Sequence, residues 1–331
     1  MKKVLALLLC VLLLLSLCAC RRGRGETEQV YVDEGPEIVE RGELRDVALL
    51  FTADLAQSDI RDLAKISALW VAQGADYGRD YLGLLDCGGA IDPLGDEQAL
   101  YDRLELMSAL GYDCAAVDAR DLAAGAQRFL NVANDAEFDW LCANLIDNIS
   151  EFQPLASWTV MDYGALSIAF LGVCAPVALE ETEFGDIAAD YSLRPEDWIY
   201  AIRDAAADAR AAGVDYVIAL GSLGQSLAQE LISQTQEIDV YLDGSGEISG
   251  SRGMANSGGE AVFVAGIAGG GSEVGRLVIA TDGSFSFETL TGFTAEEEMT
   301  LQLLRELGYD ALSAAPEPAE APEEAMEETG E

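Results

Sequence analysis

Histidine is absent from this chain of 331 residues, and that absence removes several chemistries at once. No Ser-His-Asp or Cys-His arrangement can be assembled, and no imidazole is available to hold a transition metal. Basic residues are scarce as well. Nineteen Lys and Arg stand against 59 Asp and Glu, for a formal net charge of -40. Such a surface repels nucleic acid and anionic lipid, so neither is a partner; it suits solubility and cation binding. The cysteines beyond Cys10, Cys18 and Cys20 are Cys87, Cys114, Cys142 and Cys174, spaced too widely for a CxxC-type metal site. Each lies in or beside an apolar run and reads as a buried thiol. A disulfide between adjacent strands of an exported protein is left open.

The N-terminus carries an address. Met1 to Cys20, MKKVLALLLCVLLLLSLCAC, sets two lysines before an apolar stretch too short for a comfortable transmembrane helix, as in a secretory signal. Its ending, Leu17-Cys18-Ala19-Cys20, resembles the bacterial lipobox, which implies lipidation of Cys20 as the mature N-terminus. Acyl chains contribute roughly 0.8 kcal/mol per buried methylene, so the expected location is the extracytoplasmic face of a bacterial membrane, held through lipid. Residues 21 to 44 are polar and weakly patterned, a flexible tether. Residues 311 to 331, rich in Pro, Ala and Glu, bury too little apolar surface to offset ordering and are expected to be a disordered tail. The folded domain is expected over residues 45 to 310.

Within it, Val47 to Ser58, VALLFTADLAQS, starts as an apolar strand and breaks into small and polar residues after Asp54. Side chains at the carboxyl end of such a strand project into the crevice above a sheet, so Asp54 is a candidate ligand or base. A helix face follows over Asp59 to Gln73, stopped by Gly74. Tyr81 to Asp86 reads as a strand, and Asp96 caps a helix closed by Gly111. Cys114 to Val117 is a strand running into Asp118, with a helix from about Asp121. Trp140 to Ile146 reads as one strand, and Trp158 to Tyr163 with Leu166 to Val173 as a hairpin. A loop holding Glu180, Glu181 and Glu183 precedes a helix from Pro195 to Ala212. A strand Asp215 to Leu220, a helix Leu223 to Gln234 and a strand Asp239 to Leu242 then lead into a glycine and serine loop, DGSGEISGSRGMANSGG. A further strand, a hairpin across Asp282-Gly283 and a helix Glu296 to Leu307 complete the domain. Alternating strands and helices give way to hairpins, which argues for mixed sheets with helices outside. Trp70, Trp140, Trp158 and Trp198 sit in apolar runs and read as core. The glycines near Gly266 precede a strand instead of opening a helix, so a dinucleotide fingerprint fails its context.

The order of motifs resembles the catalytic domain of calcineurin-like metallophosphoesterases, in the 5'-nucleotidase and cyclic phosphodiesterase branch. LLDCGGAIDPLG at Leu84 resembles the branch's LLDAGD and glycine turn, and LMSALGYDCAAVDARD at Leu106 resembles its LMNALGYDAMTLGNHE. CANLID at Cys142, VIALGSLG at Val217, IDVYLDGSGE at Ile238 and AGGGSEVGRLVI at Ala268 resemble its SANL, VxLSHLG, IDVIIGGHSH and AGxxGxxLGRLDL segments. The resemblance implies an α/β fold of four layers, α/β/β/α, with two mixed sheets.

In that family aspartates, an asparagine and histidines hold two metal ions that activate water for attack on phosphorus. Here the opening motif keeps Asp54 and has Ala56 for its histidine. The position of the bridging aspartate is Gly89, and the asparagine and histidine of the third motif fall on Ala119 and Arg120. The later histidines fall on Ser222, Ser245 and Glu247. Arg120 places a positive charge where cations would sit, pairing with Asp54 or Asp86. The expectation is therefore a surface lipoprotein without phosphoesterase activity and without a cofactor, a binding or scaffolding module for a protein or small-molecule ligand. Two alternatives stand beside it. Asp54, Asp86, Asp118, Asp121, Asp243 and Glu247 would line one crevice, and an oxygen-only cluster suits calcium or magnesium. Such a site would serve either a divergent metal-dependent phosphohydrolase or a cation-binding surface protein.

Overall fold

The computed structural model describes residues 42 to 151, 153 to 179 and 190 to 309. The signal segment with Cys20, nearly all of the tether, the acidic tail and the loop with Glu180, Glu181 and Glu183 lie outside the described residues.

Two six-stranded mixed sheets carry the fold. β1 (Val47–Thr52), β2 (Leu82–Asp86), β3 (Cys114–Ala116) and β4 (Asp139–Leu141) run parallel side by side. Two short strands follow the chain onward: β5 (Ile146–Asp147) and, later, β8 (Tyr191–Ser192) pair as a separate ribbon. The second sheet contains β6 (Trp158–Tyr163), β7 (Leu166–Val173), β9 (Tyr216–Gly221), β10 (Val240–Asp243), β11 (Gly250–Ala255) and β12 (Ala261–Gly266), in the order β11-β12-β10-β9-β7-β6. Finally β13 (Glu273–Ile279) and β14 (Phe285–Thr291) return to the first sheet, where β13 lies antiparallel to β1.

Strand alternation sorts the apolar residues into three layers. Val47, Leu49 and Phe51 point between the sheets, with Ile168, Phe170, Ile218, Leu220, Val240 and Leu242 opposite. Ala48 and Leu50, one position out of phase, face helices α1 (Asp62–Tyr77), α2 (Glu97–Leu110), α3 (Ala126–Ala133) and α6 (Glu298–Glu306). On the far side, Ala169, Leu171, Val217, Ala219 and Tyr241 meet α4 (Trp198–Ala211) and α5 (Gly224–Ile232). A strand buried on both faces needs apolar residues at every position, which is why these segments read as unbroken apolar runs. The result is the expected four-layer α/β/β/α sandwich. No helix among the described residues is long and apolar enough to cross a membrane.

Four local expectations are corrected. Helix α1 does not stop at Gly74 but continues to Tyr77, and Gly78, with φ of 89°, ends it. An interior glycine costs a helix about 1 kcal/mol, too little to break one packed along an apolar face. Trp140 to Ile146 is not one strand. The chain leaves the sheet after Leu141, and buried Asn144 turns its amide to the backbone carbonyls of Cys174 and Leu193 instead of continuing a ladder. The glycine and serine loop contains edge strand β11, antiparallel to β12. Among its residues only Met254 is buried, so no apolar alternation marks it. The helix expected from about Asp121 is a short 3-10 turn over Ala119–Leu122, followed after Gly125 by α3. Trp70, Trp140 and Trp198 are buried, and Trp158, on β6, packs half-buried against the core between the second sheet and its helices.

Candidate functional site

The carboxyl ends of β1, β2, β3, β9 and β10 converge on one crevice, as parallel strands in adjoining sheets require. Their close approach is visible at Gly244, just past β10. A Cβ there would overlap Cβ of Ala53 and lie 3.0 Å from both Cβ of Cys87 and Oγ of Ser222. Ser222, in turn, donates to the carbonyl of Cys87 at 3.0 Å, tying the second sheet to the first.

On the first-sheet side, Asp54 occupies the left-handed region, φ 54° and ψ 35°, where a residue with a Cβ is strained. Its amide donates to Gly88 at 2.9 Å, and that of Ala56 donates to Gly89 at 2.9 Å, so the β2 loop holds the turn in place. Arg120 reaches across. Its Nη1 donates to Oδ1 of Asp54 at 2.6 Å and its Nε to Oδ1 of Asp118 at 2.8 Å. The guanidinium passes over Gly89, where a Cβ would sit 2.8 Å from Nη2. A side chain of any length at residue 89 and the present arginine cannot both occupy this space.

Beneath this pair lie two further carboxylates. Asp86 accepts from the Thr52 hydroxyl at 2.7 Å and from the Gly88 amide at 2.8 Å. Full burial is the main reason its pKa is pushed up to about 8, against those hydrogen bonds and with help from the charges of Asp121 and Asp54. Asp121 accepts from the amides of Gly89, Ile91 and Asp118, completing a capping box with Asp118. Burial first, and then the charge of Asp118, push it up to about 7. Burial also raises Asp54, while Arg120 opposes the shift. For Arg120 itself burial disfavours the charge, but the hydrogen bond and charge of Asp118 and the charge of Asp54 outweigh it and raise the pKa.

The second-sheet side is different. Asp243 accepts from the Tyr241 hydroxyl at 2.8 Å, from the Gly224 amide at 3.0 Å, and from both the amide and the hydroxyl of Ser245. Glu247 turns outward to the amide of Gln225 at 3.2 Å. The structure thus gathers Asp54, Asp86, Asp118 and Asp121 on one side and Asp243 and Glu247 on the other. Arg120 pairs with Asp54 as anticipated but with Asp118 instead of Asp86, because Asp86 lies fully buried beneath the loop and already takes two donors. Among the described residues, no group of three or more Asp, Glu, Cys or His side chains has a metal-holding arrangement. Thr52, Tyr112 and Tyr241 are parts of the site that inspection of the motifs missed. Tyr112 lies 3.0 Å from the Thr52 hydroxyl, extending the buried chain from Asp86. Tyr241 had a legible signal: it stands two residues before Asp243 on a strand, hence on the same face.

No family model and no curated protein sequence matches this chain. Solved structures do. The 5'-nucleotidase precursor from Thermus thermophilus superposes with a TM-score of 0.66 at 17% identity, over 81% of this chain and 59% of that one. The calcineurin-like phosphoesterase YfkN from Bacillus subtilis gives 0.62 at 16% identity, over 81% of this chain and 98% of that one. The NAD nucleotidase NadN of Haemophilus influenzae gives 0.62 at 16% identity, over 79% and 55%. The fold is that of the calcineurin-like phosphoesterases, and the chain spans a little over half the length of the two nucleotidases.

The two-metal centre implied by that fold does not fit these residues. Ala56, Gly89 and Ala119 offer no donor, Ser222 and Ser245 direct their hydroxyls to protein acceptors, and Arg120 brings a cation to within bonding distance of Asp54. A guanidinium and a divalent ion on the same carboxylate repel each other.

Proposed function

We propose that this chain is a metallophosphoesterase-like domain whose metal centre has been replaced by an internal ion pair, and that it works as a binding or scaffolding module. The observation that carries the reading is the Arg120 guanidinium lying over Gly89 between Asp54 and Asp118. It satisfies, from within the protein, the carboxylate that a metal would otherwise neutralise. Anchoring through a lipidated Cys20 at the extracytoplasmic face of a bacterial membrane completes the proposal, with an unidentified protein or small molecule as ligand. The calcium or magnesium alternative has less support, since the carboxylates of Asp86, Asp121 and Asp243 each already accept two or more hydrogen bonds.

The test is an assay of the purified chain against 5'-nucleotides and bis(p-nitrophenyl) phosphate with manganese, zinc, magnesium or calcium, alongside calorimetry with each ion. No turnover above the protein-free rate, and no binding of two equivalents of metal, is the expected result. Turnover abolished by Asp54→Ala would replace this reading with that of a divergent phosphohydrolase. A melting temperature raised by millimolar calcium would instead establish the cation-binding protein.

A further inference from the structure

Cys142 and Cys174 come from different sheets and meet in the interior. Cys142 follows β4 and Cys174 follows β7, and both are buried. The backbone segments are held side by side: the Cys142 amide donates to Ala156 at 2.9 Å and the Ala143 amide to Gly172 at 2.9 Å. Asn144 then clamps the second cysteine, donating from Nδ2 to the Cys174 carbonyl at 2.9 Å and accepting the Cys174 amide on Oδ1 at 3.1 Å. The same Oδ1 lies 3.6 Å from Sγ of Cys142. One amide oxygen thus takes both the Cys142 thiol and the Cys174 backbone amide, and the two thiols are near enough that each shifts the other's pKa, Cys142 down and Cys174 up.

We infer that Cys142 and Cys174 are a disulfide-forming pair, which under oxidising conditions staples the first sheet to the second just below the crevice. The oxidant is another disulfide, of a small thiol such as glutathione or of a protein. While the chain is still open, the Cys174 thiolate attacks that disulfide, forming a mixed disulfide and releasing one thiol. The Cys142 thiolate then attacks the Cys174 sulfur, forming the Sγ–Sγ bond and expelling the second thiol. The cysteine pair loses two electrons and two protons, and the consumed disulfide gains them. Cys87 and Cys114 contrast with this pair. Both are fully buried in the core between the sheets, where no disulfide oxidant reaches them once the chain has folded.

The inference is tested by unfolding the full chain, refolding it in a mixture of oxidised and reduced glutathione, trapping free thiols with iodoacetamide and mapping peptides without reduction. A crosslinked peptide pair holding Cys142 and Cys174 is expected, with Cys87 and Cys114 recovered alkylated. The intact mass should fall by about 2 Da relative to protein refolded with reductant. Adding reductant to the oxidised protein should lower its melting temperature by about 6 °C. Cys142→Ser should remove crosslink and shift together, whereas Cys87→Ser should keep both. If Cys142→Ser does not fold, the map of the unsubstituted chain decides alone. Recovery of both Cys142 and Cys174 alkylated after oxidative refolding, or either of them linked to another cysteine, would overturn the inference.

Discussion

The two halves of the crevice hold their carboxylates in different ways. On the first sheet they are held by charge, with Arg120 bridging Asp54 and Asp118 over Gly89. On the second sheet hydrogen bonds alone serve, with Tyr241, Gly224 and Ser245 converging on Asp243. The difference follows from local crowding. Asp54, Asp86, Asp118 and Asp121 lie close enough that burial and mutual repulsion raise three of their pKa values, and such a cluster needs a cation or a proton. Asp243 stands with only outward-turned Glu247 for company, and neutral donors suffice for one carboxylate.

The largest effect expected from this contrast is a pH dependence that belongs to the first sheet. Unfolded, Asp86 and Asp121 titrate at ordinary carboxylate values near 3.8; folded, they titrate at about 8 and about 7. Between those limits the native state holds protons that the unfolded chain has released. The stability they contribute is present in acid and is lost as pH rises through the folded values. From about pH 5 to about pH 7 the loss should amount to about 5 kcal/mol for the two groups together. Denaturant melts across that range measure it. Asp86→Asn should roughly halve the slope; a slope unchanged by that substitution would erase the distinction between the halves.

Next in size is the seam between them. Gly244→Ala drives a Cβ into that of Ala53, so the strand ends must part, at a cost of about 2 kcal/mol by urea denaturation. A neutral outcome would mean that the two sides are not locked together here.

The smallest effect concerns the ion pair. The Arg120 side chain is 50% exposed and that of Asp54 23%, so solvent screens the interaction. Arg120→Ala should destabilise by about 1 kcal/mol at neutral pH, and a double-mutant cycle with Asp54→Ala should give a coupling of about 0.5 kcal/mol that fades in high salt. A coupling of zero at low salt would reduce Arg120 to a spectator and remove the main support for an internal replacement of the metals.

Much of this was legible in the residues. β1, β2, β7 and β9 read as strands because burial on both faces demands unbroken apolar runs, and Asp96 and Gly111 bracket α2 because caps are chosen by local backbone chemistry. The four-layer arrangement and Asp54, Asp86, Asp118, Asp121, Asp243 and Glu247 as crevice residues came through the order of motifs. β11 was missed because an edge strand with one buried side chain leaves no alternation. The break after Leu141 was missed because the apolar residues of Cys142 to Leu145 serve a crossing between sheets, which composition cannot distinguish from a strand.

The sequence by itself determined what this protein lacks: without a histidine, no folding of the chain brings an imidazole to any site. Tertiary structure alone decided which carboxylate Arg120 would take besides Asp54, that Asp86 and Asp121 would be sealed beneath the pair, and that Cys142 and Cys174, far apart in the chain, would meet. Residue type is a local property and is written in the sequence. Burial and distance arise only when strands remote in sequence pack, and they set both the protonation of a carboxylate and the partner of a thiol.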